Sequence, residues 1–242
     1  MMGKVSKSWS IETKGTLEDV QSLLQLARHA GAPPDAFVTV RGNYDAKVLV
    51  FQQKRKKWRR TKGAKKYLAF SWADEHISAD SRDFLQSLPQ QTSFQCGRWR
   101  VVLTHGSPVA NDEPLGPDTP TARLEELARA AEADLIGCAH SHRPFMRQID
   151  ETLFVNPGAV GRPEGGDPRA CYALLETADR QPTADLHRVE YDIDRTVEAV
   201  RAAGLPEEFG LMFRYGANLK QIQHELKCSG NGRWRESPSA GP

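Results

Sequence analysis

Apolar positions along the chain switch between two spacings, and the switches predict the order of elements. Leu17, Val20, Leu23, Leu24 and Ala27 recur at helical spacing behind Thr16, with Asp19 three residues after Thr16 as a variant of the capping box. Gly31-Ala32-Pro33-Pro34 stops that run. Residues 36–40, Ala-Phe-Val-Thr-Val, read as a strand that ends at Arg41-Gly42-Asn43. A charged insert over 44–70 carries helical signals at both ends. Ser78 or Asp80 opens a short helix through Leu88, and residues 92–95 and 99–103 pair as strands around Gly97. A helix is predicted over 121–131, a buried strand over 134–138, short strands near 145–149 and 153–155, and a turn over 156–163. Strands over 172–176 and 184–192 and helices over 194–203 and 206–215 complete the pattern. Residues 1–15 and the polar stretch 217–242 are expected to be disordered, which leaves one domain over 16–216.

Helices alternate with strands in the middle, and antiparallel strands gather later. This predicts an α/β protein built on a mixed sheet or on two packed sheets. Composition narrows the picture. The chain has 242 residues, 39% hydrophobic and 26% charged, which suits a soluble globular protein of one sizeable domain. No stretch approaches the roughly eighteen uninterrupted apolar residues of a membrane span, so no membrane partner is expected. Four cysteines are too few for a disulfide scaffold in a chain this long, and residues 1–13 carry no apolar signal segment. A reducing, cytoplasmic setting is the expectation.

The net charge of +2 hides an asymmetry. Lys54, Arg55, Lys56, Lys57, Arg59, Arg60, Lys62, Lys65 and Lys66 put nine positive charges and no negative one into the stretch 54–66. The rest of the chain holds 24 basic and 31 acidic residues, a balance of −7. Such a basic run can hold nucleic-acid phosphates or act as an address. The reading favoured from sequence is plainer, a solvated mobile loop, because Trp58 and Tyr67 alone offer stacking surface there.

Four side chains stand out chemically. Asn43 follows a predicted strand in Gly42-Asn43-Tyr44-Asp45, His105 follows one in Thr104-His105-Gly106, and His140 and His142 follow one in His140-Ser141-His142-Arg143-Pro144. Carboxyl ends of strands are where α/β proteins place their chemistry. Imidazole nitrogen with amide or carboxylate oxygen suits Mn, Fe or Zn rather than Ca. One His-x-His alone is weak, since most histidines are surface or hydrogen-bonded core residues. Three histidines and an asparagine, each after a predicted strand and beside Gly or Pro, make a metal site the better reading.

The segments Gly42-Asn43-Tyr44-Asp45, Leu103-Thr104-His105-Gly106-Ser107-Pro108 and His140-Ser141-His142-Arg143-Pro144-Phe145 resemble three ordered motifs of the calcineurin-like metallophosphoesterases. Phe154-Val155-Asn156-Pro157-Gly158-Ala159-Val160-Gly161-Arg162-Pro163 and Gly166-Asp167-Pro168-Arg169-Ala170-Cys171-Tyr172 look like the small bacterial phosphodiesterase branch. The resemblance runs from about Leu17 to Met212 and is specific for the superfamily, not for a substrate. It implies a two-sheet sandwich flanked by helices. It implies two divalent ions, Mn foremost with Fe, Zn or Ni as others, that activate a water to hydrolyse a phosphodiester or phosphoanhydride. The substrate would be a phosphorylated small molecule or a nucleotide. Asn43, His105 and His140 resemble ligands of the second metal and His142 a ligand of the first. Asp45 would support the Asn43 loop. Tyr44 stands where larger members carry a histidine acid; a phenol can donate a hydrogen bond but is a poor proton shuttle. Arg143 and Arg162 are candidates for phosphate contact, with a surface or structural role the expected one for both.

The family also opens with a strand ending in Asp-x-His and a second ending in Gly-Asp, which supply the first metal and the bridging carboxylate. Neither motif precedes Asn43. Asp19 falls inside a predicted helix, Asp35 at the wrong end of its strand, and His29 near a helix end. Asp74-Glu75-His76 spells Asp-x-His but follows Ser-Trp-Ala, so it is read as a decoy. The expectation is a piece of a longer enzyme, N-terminally incomplete and inactive as written. The alternatives are a catalytically dead scaffold of the same fold used for protein contacts, and a site completed by residues not recognised.

Overall fold

The computed structural model describes residues 38–177 and 181–228. Its framework follows from three short apolar strands that pair in parallel. These are β2 (Trp99–Thr104), β3 (Leu135–Gly137) and β5 (Thr152–Asn156), with Val102 opposite Ile136 and Ile136 opposite Phe154. β1 (Gln91–Cys96) pairs antiparallel outside β2, and β4 (Phe145–Ile149) outside β5, giving the order β1-β2-β3-β5-β4. β6 (Ala170–Glu176) and β7 (Thr183–Val189) form a second, two-stranded antiparallel sheet.

Both faces of the five-stranded sheet are covered, as parallel pairing requires. On one face Val102, Ile136 and Phe154 pack with Leu124, Leu127 and Ala131 of a helix over Thr121–Ala131. On the other, Val101, Leu135, Leu153 and Val155 pack against Ala184 of β7 and Ala173 of β6. The expected α/β architecture of two packed sheets with flanking helices is therefore the one present.

Around this core lie two helical groups. The first comprises α1 (Asn43–Leu49), α2 (Phe51–Thr61), α3 (Ala64–His76) and α4 (Ala79–Ser87), with Val48, Phe51 and Phe70 buried among Trp58, Tyr67, Ala73 and Ile77. Ser78 caps α4 by accepting from Ser81 N at 3.1 Å. The helix over Thr121–Ala131 is α5. The second group is α6 (Ile193–Ala202), α7 (Glu207–Tyr215) and α8 (Leu219–Cys228), where Ile222 is fully buried beside Met212 and Ala217. The Lys65 ammonium pairs with Glu208 and ties α7 to the first group.

Four expectations change. Val38, Thr39 and Val40 lie in no strand; Arg41 N bonds Pro89 O at 2.7 Å, and β1 is the sheet edge among the described residues. Asn43 therefore opens a helix instead of following a strand. The basic stretch is no solvated loop: Phe51 and Trp58, one heptad apart, anchor α2 to the aromatic cluster and leave the lysines and arginines ordered on its outer side. The expected disorder over 217–242 is corrected at Leu219–Cys228, where Leu219, Ile222 and Leu226 give a helical stripe that packs on α7. The expectations for 1–15, the helix over 17–27, residues 36–37 and the end of the chain after Cys228 lie outside the described residues.

No helix of the described residues is long and apolar enough to cross a membrane. Replacement of Ile222 by Ala is expected to destabilise the fold by about 3 kcal/mol in urea unfolding, the usual result of emptying a fully buried aliphatic site. A change below about 0.5 kcal/mol, the size of a surface substitution, would show that the last helix does not dock.

Candidate functional site

Parallel pairing of β2, β3 and β5 brings three carboxyl ends to one edge of the sheet. His105 follows β2, His140 and His142 follow β3, and Asn156 ends β5. Ala139 N bonds His105 O at 2.9 Å, which extends the β2–β3 pairing past the strands and locks the two histidine loops together. Gly106 is required here, since a Cβ would lie 2.5 Å from Ala110 O.

The His140 loop is held from beneath by one buried amide. Asn156 has no exposed surface, and its Nδ2 donates to Ala139 O at 2.7 Å, Ser141 Oγ at 3.0 Å and Leu115 O at 3.2 Å. Its Oδ1 accepts from Gly158 N at 2.9 Å. With this support His140 and His142 both adopt the left-handed region, φ 58° and 56°. That conformation costs an L-residue about 1–2 kcal/mol, and such strain gathers at functional loops.

Three atoms with lone pairs meet at the site. His105 Nε2 lies 3.2 Å from Asn43 Oδ1 and 3.0 Å from His140 Nδ1, with the two imidazole rings edge to face at 5.0 Å. Asn43 is placed by the first turn of α1, where Gly42 N donates to Asp45 Oδ2 at 2.7 Å. A Cβ at Gly42 would stand 3.0 Å from that oxygen and 3.4 Å from the His105 ring, so the close approach needs glycine. Asp45 thus supports the Asn43 turn through the backbone.

The surroundings keep the rings neutral. Burial first, then His140, His142 and Lys47, hold the His105 pKa down from its ordinary 6.5 to about 4. His140 is lowered by burial and by Lys47 and His142, against Asp112 and Glu164. His142 is lowered by burial and Arg162, against its bond to the Arg162 carbonyl and against Glu164. A neutral imidazole is the form that gives a lone pair to a cation. Asn43, His105 and His140 therefore fit one divalent ion as an N,N,O donor set.

His142 stands apart from this trio. Its Nδ1 lies 2.6 Å from the Arg162 carbonyl and 3.9 Å from Glu164 Oε1. Arg162 lies beside it, pairs with Glu164 at 3.1 Å and holds its guanidinium 5.7 Å from the Tyr44 ring centroid. Arg143 is turned to Asp118, 2.7 Å away, and is not brought into the cluster. Among the described residues no group of three His, Cys, Asp or Glu side chains stands ready for a metal. Asp74 is no ligand: it is buried in α3, accepts from Arg82 at 2.9 Å and from Gln52, and His76 stacks on Trp72.

Sequence reasoning passed over Lys47 and gave Asn156 no role. Lys47 sits with its ammonium 4.8 Å from the Tyr44 ring and its pKa lowered by burial, with Lys66 and Lys62 adding to that effect and Tyr44 and Asp112 opposing it. The signal for Asn156 was its place between the apolar run Leu153-Phe154-Val155 and Pro-Gly.

A family model described as the calcineurin-like phosphoesterase superfamily domain matches residues 11–180. An uncharacterized protein of Methanocaldococcus jannaschii is 28% identical over 160 residues, which is 59% of this chain and 63% of that protein, so the match spans less than two thirds of that relative. The crystal structure of a metallophosphoesterase from Sphaerobacter thermophilus is similar at TM-score 0.62 and 27% identity, covering 81% of this chain and 82% of that one. A hypothetical protein from Pyrococcus horikoshii shares the fold at TM-score 0.71 and 22% identity, over 84% of this chain and 80% of its own.

Two outcomes test the geometry. Asn156→Ala is expected to cost about 2–3 kcal/mol by leaving buried carbonyls unpaired, and to weaken Mn binding at least tenfold in calorimetric titration; metal binding of normal strength would refute the support role. The folded pKa of His105 lies below its unfolded value, so the unfolded chain binds the extra proton between about 4 and 6.5. Stability without metal should therefore be complete above pH 6.5 and fall as pH drops towards 4. In His105→Asn that slope should flatten in urea unfolding at several pH values; an unchanged slope would refute the burial argument.

Proposed function

We propose a reaction from one premise: this chain belongs to the calcineurin-like phosphoesterase superfamily. That family is one of metal-dependent phosphoester hydrolases. The finer reading is hydrolysis of a phosphodiester or phosphoanhydride at the edge formed by β2, β3 and β5. The observation that carries it is the convergence of Asn43 Oδ1, His105 Nε2 and His140 Nδ1 within 3.0–3.2 Å steps.

Asn43, His105 and His140 would hold a divalent ion, Mn foremost, through one neutral oxygen and two neutral nitrogens. Such an ion supplies Lewis acidity toward a phosphoryl oxygen and makes water a nucleophile near neutral pH. The chain's own groups supply the rest. Lys47, whose charge acts on His105 and His140, and Arg162, beside His142 and the Tyr44 ring, would attract the phosphate. Tyr44 lies beside Asn43 with 40% of its surface exposed and can donate a hydrogen bond to an ester oxygen. The Arg162 carbonyl fixes the His142 tautomer by accepting from Nδ1–H, leaving Nε2 as the nitrogen with a lone pair.

The test is Mn-dependent hydrolysis of bis(p-nitrophenyl) phosphate. His105→Ala and His140→Ala should each lower kcat/KM about 100-fold or more, beyond what outer supporting residues usually cost, while His76→Ala should leave it unchanged. Activity untouched by both changes would sink the assigned site. Full Mn binding with no turnover of any phosphoester would favour the scaffold reading.

A further inference from the structure

The basic helix and the candidate site are joined by a continuous line of rings and cations. Starting at the site, the Arg162 guanidinium and the Lys47 ammonium stand 5.7 and 4.8 Å from the centroid of Tyr44, the residue after Asn43. Tyr44 lies 5.2 Å from Phe70, and Phe70 lies 5.4 Å from Trp58. The Lys62 ammonium caps this far end, 4.7 Å from Trp58 and 5.8 Å from Phe70. Phe70 is buried and serves as the floor; Tyr44 is exposed and Trp58 half-buried, so these two offer ring surface.

Resting on the esterase reading of this site, we propose that its substrate is a single-stranded polynucleotide, led to Asn43, His105 and His140 along the ring and cation line from α2. Three observations carry this. First, charge is segregated. Of the nine cations over 54–66, Lys65 pairs with Glu208 and Arg55 is hydrogen-bonded to Tyr67, and among the described residues the other seven form no ion pair. The body of the chain is acidic by seven charges, so a polyanion is drawn towards this basic stretch. Second, rings alternate with cations. A lone phosphate needs only the charges, whereas base stacking on aromatic rings beside a basic groove is the device that holds unpaired nucleotides. Third, the length fits a polymer. The centroid steps of 5.2 and 5.4 Å set Trp58 and Tyr44 apart by no more than about three base rises of about 3.4 Å. A strand lying on both rings would bring the next phosphodiester to the Asn43 side.

The experiment is fluorescence anisotropy with the full chain in EDTA and a labelled dT oligonucleotide of about twenty nucleotides. Removing metal keeps binding separate from hydrolysis. Binding should weaken steeply with salt, by about −0.7 in log K per log salt for each phosphate engaged. It should be at least tenfold weaker for a duplex of equal length, whose bases are not free to stack. Tyr44→Leu should weaken it about tenfold, within the range for one stacked base, and Lys57→Gln with Arg59→Gln and Lys62→Gln should lower both affinity and salt slope. No binding at low salt, salt-insensitive binding, or equal affinity for duplex would overturn the proposal. Displacement by polyglutamate as effective as by unlabelled oligonucleotide would instead assign the face to an acidic peptide. Circular dichroism checks that the variants fold; if the triple change does not, the salt slope and duplex ratio of the unchanged chain decide alone. Hydrolysis of the aryl diester with Mn reads the other premise: its persistence without oligonucleotide binding refutes this inference only, and its absence with binding intact refutes the esterase reading only.

Discussion

Parallel alignment of three short strands is the constraint on which the rest depends. β2, β3 and β5 are staggered so little that their carboxyl ends stop at one edge. Because the chain leaves each strand there, His105, His140 and Asn156 arrive together without any long loop having to find them. Parallel strands need cover on both faces, and α5 on one side and the β6–β7 pair on the other provide it. The strained conformation at His140 and His142 is tolerated because Asn156 bonds the loop from a core position with no exposed surface.

Electrostatics at this edge works in two directions at once. Burial and neighbouring cations depress the histidines and leave neutral nitrogens, which favours a bound cation. The same cations, Lys47 and Arg162, disfavour a bare divalent ion by repulsion. An anionic phosphate, sharing its charge with the ion and the side chains, would ease that conflict. If this trio were the donor set, with no carboxylate in it, charge balance would depend more on the substrate than in a site rich in aspartate.

How much of this was legible in the sequence depended on whether local pattern and tertiary packing agreed. The helix over Thr121–Ala131 was read to the residue, since Leu124, Leu127 and Ala131 keep helical spacing and pack as that spacing demands. The strand over 36–40 was read from local composition alone, and among the described residues Val38, Thr39 and Val40 pair with no strand. Ile222 was lost among lysines, glutamines and glutamates, although Leu219, Ile222 and Leu226 already held the helical stripe. The histidines were visible because each follows a strand. The role of Asn156 was not, because a buried amide that bonds backbone carbonyls leaves no periodic trace.

The basic stretch shows why composition alone misjudged a face. Nine cations in a row look like a solvated loop when the apolar residues among them are counted singly. Phe51, Trp58, Tyr67 and Phe70 come from two helices, yet they share one cluster, with Phe51 6.1 Å from Trp58 and 5.6 Å from Tyr67. Their burial gives α2 an inner side, and an inner side forces the charges outward in fixed positions. Fixing charges of one sign costs repulsion that a mobile chain would relieve by spreading. The rings offset part of that repulsion from within the cluster, since Lys62 and Lys47 lie over aromatic faces. A polyanion laid across the same face would offset the remainder.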